Sequence, residues 1–486
     1  MTVRVRYAPS PTGLQHIGGV RTALFNYLYA RSAGGVFVLR VEDTDQERYN
    51  GESLQDIYDT FAWLGISWDE GPDVGGDFGP YIQSERAELY TKYAAQLLDA
   101  GLAYYAFDTA EELQAQRDAS AGKGGYDRRF RDMTEADLAP YRERGLKPVV
   151  RFKVPLEGTT ALTDVVLGEM SWENADVVAD PVLIKSDGLP TYHLANVVDD
   201  HLMQISHIMR AQEWIPSAPL HVLLYQAFGW EPPVFCHLPI VVGEDGQKLS
   251  KRHGATRVLE FRERGYLPEA LINYLSRVGW SFDDKQEIFS REELERIFRL
   301  EKINKAPAVF DYKKLEWLNG HYIRERSVGS LYDAILPFMQ KSGIVSDPPA
   351  SDEATIVKGA IPLIQERLKY LADAPDLLRF LFEEPGAFDL DEMVPKKLDR
   401  AQTAALLEQV APIVGEIPTM SDEENEEVFR AKAAELDTKL GNLLMPLRVA
   451  VTGSRVSPPL FGSIRLLGAR RAAERVENAL RRLKES

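Results

Sequence analysis

The first forty residues carry a βαβ signal, and no other feature narrows the fold so far. Val3, Val5 and Tyr7 alternate with Arg4 and Arg6, which predicts a strand. Ala8-Pro9-Ser10-Pro11-Thr12-Gly13 is dense in turn formers and must leave that strand as a loop. Val20, Ala23, Leu24, Tyr27 and Leu28 then recur at helical spacing, and Gly34-Gly35 stop the helix. Val36-Phe37-Val38-Leu39 is continuously apolar, as in a parallel strand covered on both faces. Such a unit is right-handed by default, and ligands of the sheets it builds sit at the carboxyl ends of the strands. The loop after Tyr7 and the acids Glu42, Asp43 and Asp45 all fall at that edge.

Downstream the pattern changes twice. From about Leu102 to Ala179, glycines, charges and short alternating runs such as Val149-Val150-Arg151-Phe152-Lys153-Val154 suggest an inserted α+β domain. Strand-like segments return at Val182-Leu183-Ile184, Ile205 to Met209 and Leu238 to Val242, and read as the second half of the interrupted sheet. Beyond Leu267 the chain turns helical and stays so. Asp347-Pro348-Pro349-Ala350-Ser351 reads as a linker there, and Ser421 with Glu424 as a capping box. At 486 residues the chain is too long for one ordinary core, so several domains are expected.

Composition bears mainly on partners. The formal net charge of −17, taken alone, argues against a nucleic-acid ligand. Binding depends on local fields rather than on the sum. The tail holds Arg448, Arg455, Arg465, Arg470, Arg471, Arg475, Arg481, Arg482 and Lys484, against Glu474, Glu477 and Glu485. Lys123, Arg128, Arg129 and Arg131 make a second basic stretch. A solvated helix face explains either segment as well as a phosphate-binding one does. Cys236 is the only cysteine, so no internal disulfide and no cysteine zinc cluster can form. No apolar run is long enough to span a bilayer and the N-terminus lacks a secretory pattern, so a cytoplasmic location away from membranes is expected.

Two loops carry candidate chemistry. Ser10-Pro11-Thr12-Gly13-Leu14-Gln15-His16-Ile17-Gly18-Gly19 runs straight into a helix. Its small residues let a phosphate or an adenine approach the backbone, the helix start supplies free N–H donors and a positive dipole end, and His16 can donate to phosphate. The dinucleotide fingerprint and the lysine-bearing P-loop pattern are both absent. The second loop, Gly243-Glu244-Asp245-Gly246-Gln247-Lys248-Leu249-Ser250-Lys251-Arg252, leads a glycine-bearing hairpin into three cations and a hydroxyl. A mobile basic loop of this kind can close over a triphosphate and offset charge growing on pyrophosphate. Each loop alone is as readily an ordinary turn. His193, His201, His207, His221 and His237, with Asp199 and Asp200 nearby, lack metal-ligand spacing and read as packed or hydrogen-bonding histidines.

Taken together, Pro-Ser-Pro-Thr-Gly, His16-Ile17-Gly18 and Lys248-Leu249-Ser250-Lys251-Arg252 resemble the signature pair of class I aminoacyl-tRNA synthetases. Arg40-Val41-Glu42-Asp43-Thr44-Asp45, Tyr81-Ile82-Gln83-Ser84-Glu85-Arg86 and the run from Leu183 to His201 match the glutamyl/glutaminyl branch. The chain is thereby identified as similar to the bacterial-type glutamyl-tRNA synthetases. There are departures. Gly19 stands where the general class has a second histidine, Leu249 and Arg252 replace methionine and serine, and the cysteine-rich zinc knuckle of many bacterial relatives is missing between Tyr104 and Arg131.

The resemblance implies an α/β Rossmann-type catalytic domain with an α+β insertion, followed by an all-α anticodon-binding half. The expected division is residues 1–101 and 181–250 for the two catalytic halves, with 102–180 as an acceptor-end-binding insert. Residues 251–322 would form a signature-loop and stem-contact domain and 323–486 the anticodon-binding region. His16, Gly18, Gly19, Lys248, Leu249, Ser250 and Lys251 would bind ATP, with His16, Lys248, Ser250 and Lys251 serving catalysis. Arg6, Ser10, Glu42, Tyr192, Asn196 and Arg210 would line the amino-acid pocket, with a guanidinium fork matched to a carboxylate. Arg367 matches a position associated with reading the anticodon, although a solvated helix arginine accounts for it equally well.

The implied activity is ATP-dependent attachment of L-glutamate to tRNA(Glu) through a glutamyl-adenylate, with magnesium accompanying ATP, no zinc, and a monomeric protein. Three rival readings fit the sequence less well. A shortened relative that glutamylates a modified tRNA base lacks the helical half after Asn319, and a glutamine-specific enzyme usually ends in β-barrels. A nucleotide-binding regulator without catalysis would not need His16 and the cations from Lys248 to Arg252.

Overall fold

The computed structural model describes residues 2–45, 48–119, 125–283, 285–386 and 389–485, with Lys251 described by its backbone alone. The basic stretch expected from Lys123 onward therefore begins outside the described residues. The chain divides into two compact units, Met1–Arg262 with Pro268–Tyr312, and Glu263–Leu267 with Lys313–Ser486.

The first unit opens with β1 (Arg4–Tyr7), α1 (Ile17–Ser32), β2 (Val36–Leu39), α2 (Gly51–Leu64) and α3 (Ala87–Asp99). The insert follows with β3 (Ala103–Ala106), α4 (Ala110–Ala119), α5 (Glu135–Glu143), β4 (Val149–Phe152), β5 (Thr159–Asp164), β6 (Gly168–Glu173) and β7 (Val182–Ile184). Then come α6 (Tyr192–Leu202), β8 (His207–Ala211), α7 (Ala218–Ala227), β9 (Val234–Leu238) and β10 (Val241–Val242).

The expected βαβ unit is present. β1 and β2 pair in parallel, with Val5 opposite Phe37, and α1 is the crossover between them. Ile17, Val20, Leu24, Phe25 and Leu28 of α1 are buried around most of its circumference, because the helix is covered on more than its sheet side. Phe25 meets the Phe298 ring edge-on at 5.2 Å, opposite the sheet. Ser206, just before β8, donates its N–H to the Arg4 carbonyl at 2.9 Å, and Arg4 N–H returns to Ser206 Oγ at 2.8 Å, joining β8 to β1. β8 and β9 pair in parallel, with Arg210 opposite His237.

Three strand expectations need correction. Val182–Ile184 does not belong to the parallel sheet. As β7 it pairs antiparallel with β4 in a three-stranded β3-β4-β7 sheet of the insert, Val150 opposite Ile184. A three-residue apolar run fits either kind of sheet, so its pattern held no pairing information. The strand expected at Leu238 to Val242 is two strands, β9 ending at Leu238 and β10 starting at Val241, because Pro239 has no N–H to continue a ladder. The strand expected at Ile205 to Met209 runs two residues later. The insert is also tied to β9 and β8 in a mixed sheet of order β6-β5-β9-β8, in which β5 pairs antiparallel with β6 and parallel with β9, Asp164 standing opposite Phe235.

The second unit is helical. Its linker is seen as irregular backbone between the helices Val328–Lys341 and Ser351–Ile364. The capping box forms as expected, Glu424 N–H donating to Ser421 Oγ at 3.1 Å and Ser421 N–H to Glu424 Oε2 at 2.8 Å. Several tail cations are structural. Arg475 is buried, donating to the Val451 carbonyl at 2.6 Å and to Glu384 at 3.0 Å, while Arg471 also reaches Glu384 and Lys484 reaches Glu408. No described helix is long and apolar enough to cross a membrane.

Candidate active site

A cavity of about 790 Å³ opens at the carboxyl edge of the parallel strands. That is room for a nucleotide and an amino acid together. Arg6, Ser10, His16, Gly18, Gly19, Glu42, Tyr192, Asn196, Arg210, Lys248, Leu249 and Ser250 all line it. Lys251 opens a short 3-10 turn, Lys251–His253, and its side chain lies outside the described residues. Arg367 is not among them. It sits in the helical unit, where its guanidinium donates to the Ser457 carbonyl.

The first loop does not leave the start of α1 open. His16 is the N-cap, and its Nδ1 accepts from Gly18 N–H at 3.1 Å and Gly19 N–H at 3.3 Å. Ile17 N–H donates to the Thr256 carbonyl at 2.9 Å. The expectation of free helix donors is therefore corrected, because the imidazole takes them. With Nδ1 accepting, the ring proton sits on Nε2, the only donor the side chain has left. Partial burial, with the Lys248 ammonium nearby, holds the His16 pKa below the usual histidine value. The structure also accounts for Gly19. A Cβ there would stand 2.9 Å from the Tyr7 hydroxyl, which is itself fixed on Gln15 Oε1 at 2.7 Å. A histidine at this position would displace Tyr7.

The side of the cavity around Arg6 and Glu42 is built on buried charge. Arg6 donates through Nε to Asp200 Oδ1 at 3.0 Å and through NH2 to Oδ2 at 3.1 Å. Arg40, fully buried, donates to Asp200 Oδ1 at 2.7 Å and to Glu42 Oε1 at 3.0 Å. The Asn196 amide lies within 3.3 Å of Arg6 and 3.2 Å of Arg40, oriented to accept from both. Burial pushes the Glu42 carboxyl up, against the downward pull of Arg40 and Arg6. Asp200 is held below the usual range because the two guanidiniums outweigh its burial.

Arg210 is different. It is 5% exposed, and every partner it has among the described residues is neutral. Nε donates to His237 Nε2 at 3.0 Å, and NH1 donates to His221 Nδ1 at 3.2 Å and Tyr192 Oη at 3.3 Å. Its NH2 is buried with no hydrogen-bond partner. Burial lowers its pKa. A desolvated guanidinium with an idle N–H aimed among cavity residues is a seat for an anion.

The second loop is the expected hairpin. Val242 bridges Lys248, Gly243 N–H donates to the Gln247 carbonyl at 2.9 Å, and Gly246 turns at φ +73. Lys248 Nζ reaches Glu213 Oε2 at 2.5 Å. His253 Nδ1 accepts Ser250 N–H at 3.0 Å, tying the end of the loop back on itself.

Several contributors were not singled out from sequence. Arg21 reaches the cavity floor from α1, donating to the Val278 and Pro239 carbonyls at 2.5 and 2.7 Å, and burial lowers its pKa to about 9. Trp214 packs its ring 4.6 Å from that of Tyr192, and Glu213 faces Lys248. In sequence Arg40 stands only within the Arg40–Asp45 motif and Asp200 only as an acid near the histidines. Their shared signal was charge inside otherwise apolar runs, which predicts a buried pair. The other histidines pack or hydrogen-bond. His201 stacks on Trp230 with centroids 3.7 Å apart, His193 Nδ1 meets His221 Nε2 at 3.2 Å, and His207 Nε2 meets Tyr29 Oη at 3.2 Å. Among the described residues no three His, Cys, Asp or Glu side chains gather as a metal site.

Known proteins similar to this chain match it over nearly its whole length. Residues 2–317 match the family model for tRNA synthetases class I (E and Q), catalytic domain, and residues 330–480 match that for an anticodon binding domain. The chain is 52% identical over 482 residues to a glutamate–tRNA ligase of Borreliella burgdorferi, covering 99% of this chain and 98% of that one. A glutamate–tRNA ligase of Treponema denticola is 50% identical over 502 residues, covering 99% of each. A crystal structure of a glutamate tRNA ligase from Elizabethkingia meningosepticum, in complex with its amino acid, superposes with a TM-score of 0.85 at 35% identity, covering 99% of this chain and 100% of that one.

Proposed function

Since this chain belongs to the glutamate–tRNA ligases of class I and charges tRNA with glutamate, we propose that the cavity around Arg210 is where glutamate is chosen and activated. The observation that carries this reading is the buried Arg210 guanidinium, which lacks a carboxylate partner among the described residues. Arg210 would take the side-chain carboxylate of glutamate, with Tyr192 and Arg6 beside it. Glu42 would hold the substrate ammonium, with Ser10 and Asn196 completing the pocket.

The α-carboxylate oxygen then attacks the α-phosphorus of ATP. A carboxylate–phosphorus bond forms, the bond to the β-phosphate oxygen breaks, and pyrophosphate leaves. The terminal ribose hydroxyl of tRNA attacks the carbonyl carbon of the adenylate, and AMP departs. Neither step needs a covalent nucleophile from the protein. His16 Nε2–H would donate to phosphate, Gly18 and Gly19 give close approach, and Lys248, Leu249, Ser250 and Lys251 would close over the triphosphate. Catalysis then rests on alignment and on cations at the departing pyrophosphate. Magnesium would arrive with ATP as part of the substrate.

The finer assignments follow the same reading. Residues 102–180 would hold the acceptor end, 251–322 the stem, and the helical half the anticodon, with Arg367 as a candidate contact. We expect a cytoplasmic monomer. ATP–pyrophosphate exchange tests the core of the proposal. Exchange should require glutamate, run far more weakly with glutamine, and be measured with and without tRNA. Exchange independent of the amino acid would defeat the assignment.

A further inference from the structure

Arg210 does not hold its own direction. A free arginine side chain samples many rotamers, and a single unpaired N–H does not choose among them. Here Nε is fixed on His237 Nε2 at 3.0 Å. That bond requires His237 to be neutral with its proton on Nδ1. Asp164 sets that state. Its Oδ2 lies 2.8 Å from His237 Nδ1 and also accepts the His237 main-chain N–H at 2.9 Å. Its Oδ1 accepts from Val166 N–H and Leu167 N–H, both at 2.9 Å, so the carboxylate itself cannot turn. Both side chains of the pair are fully shielded from solvent.

Asp164 ends β5, the strand by which the insert joins β9. The three residues thus form one line, from the insert's hairpin through β9 to the amino-acid seat on β8. We propose that Asp164 and His237 are positioning residues for glutamate selection, the carboxylate fixing the imidazole tautomer and the imidazole fixing the face that Arg210 presents to the substrate side chain. This rests on the reading that Arg210 holds that side chain. It adds that the seat is built from outside the cavity, by a residue of the insert that the substrate never touches.

Two substitutions separate this role from simple packing. In His237→Asn the amide N–H can replace Nδ1 and keep the Asp164 contact, but no acceptor reaches Arg210. In His237→Gln the amide oxygen can stand near Nε2 and keep the Arg210 contact. Losing a charge-assisted bond that orients a ligand costs about tenfold or more in affinity. His237→Asn should raise KM for glutamate by about that factor and narrow the glutamate-to-glutamine efficiency ratio, with kcat and KM for ATP within about twofold. His237→Gln should recover most of the loss.

Arg210→Gln is run in parallel. If it leaves the ratio at the wild-type value, the seat itself is misassigned and the positioning role falls with it. If it narrows the ratio while His237→Asn and His237→Gln behave alike, the seat stands and the positioning role is overturned. Should the His237 variants not fold, wild-type protein labelled with 15N-histidine gives the answer. One ring must show the Nδ1–H tautomer, with an Nε2 signal that moves on adding glutamate. The absence of such a ring overturns the proposal.

Discussion

Arg6 and Asp200 form a two-pronged pair, Nε to Oδ1 at 3.0 Å and NH2 to Oδ2 at 3.1 Å. Arg6 is therefore paired before any substrate arrives, and Arg40, which shares the same carboxylate, is paired with Glu42 as well. Arg210 has no such partner among the described residues. Arg6 and Arg210 are thus electrostatically unlike, although both lie near the carboxyl ends of strands.

Discrimination should accordingly reside in Arg210. Glutamate and glutamine differ little in shape, but an amide N–H facing the fork meets donor with donor. A site built for a polar group can reject its mismatched analogue by roughly 10⁴-fold. Arg210→Gln is expected to weaken glutamate use and narrow that preference by ~100-fold or more. The ratio of kcat/KM for the two amino acids, with saturating tRNA and ATP, decides it. An unchanged ratio places discrimination elsewhere.

Asp200→Asn should damage the fold rather than the chemistry alone. It would leave the buried Arg6 guanidinium facing a neutral amide, while Arg40 would keep Glu42. Breaking a buried ion pair from one side costs about 3–5 kcal/mol. Urea unfolding of the substituted protein should show a loss of that order, and a loss below ~1 kcal/mol would mean that Arg6 finds another partner.

Lys251→Ala is expected to leave folding intact and cripple adenylate formation. The basis is the basic loop and its match to the signature lysine. One preorganised charge contact to a transition state is worth roughly 3–4 kcal/mol. Single-turnover activation within a few-fold of wild type would remove Lys251 from catalysis.

Acid should destabilise the catalytic unit through its buried histidines. Burial, with the Arg210 charge, lowers the His193 pKa to about 4, and His221 shifts in the same direction. The folded state then holds the neutral ring while the unfolded chain takes up a proton below its ordinary value near 6.5. Stability is complete above that pH and falls as pH drops toward 4, by up to ~3 kcal/mol for His193. Urea midpoints from pH 7 to 4 should follow this course, and His193→Gln should flatten it. An equally steep slope in that variant would assign the loss to other groups.

Arg367→Gln should alter tRNA choice with little effect on folding. Its described contact is to the Ser457 carbonyl, beside Arg448. A single bond of this kind is worth about 1 kcal/mol. Charging of glutamate and glutamine tRNAs by wild type and variant is the measurement. Identical preference would remove Arg367 from anticodon readout.

The sequence was most informative where periodicity changes. Alternation from Val3 to Tyr7 giving way to helical spacing at Val20 to Leu28 located β1 and α1, because each period reports which faces are buried. It was silent on β7, where three apolar residues suit either kind of sheet. Motif strings pointed to residues that do line one cavity, Arg6 and Arg210 among them. They said nothing of the partners those side chains hold within the protein. Asp164 and His237 are 73 positions apart, and no local pattern joins an aspartate ending one hairpin strand to a histidine in another. The occupied amides of Gly18 and Gly19 were equally hidden, since capping by a histidine depends on its rotamer.

That capped start of α1 has a consequence for how charge is supplied to a nucleotide. A polyanion usually recruits protons from water onto nearby imidazoles, so its affinity drifts with pH. His16 resists this, because protonating Nδ1 would cast off the two amides it holds. Beside the Lys248 ammonium, the helix start adds oriented peptide groups and one fixed N–H, neither of which exchanges charge with the medium. The mouth of the helix thus works as a permanent dipole rather than a buffer, and its share of the field is the same whether the surroundings are slightly acid or slightly alkaline.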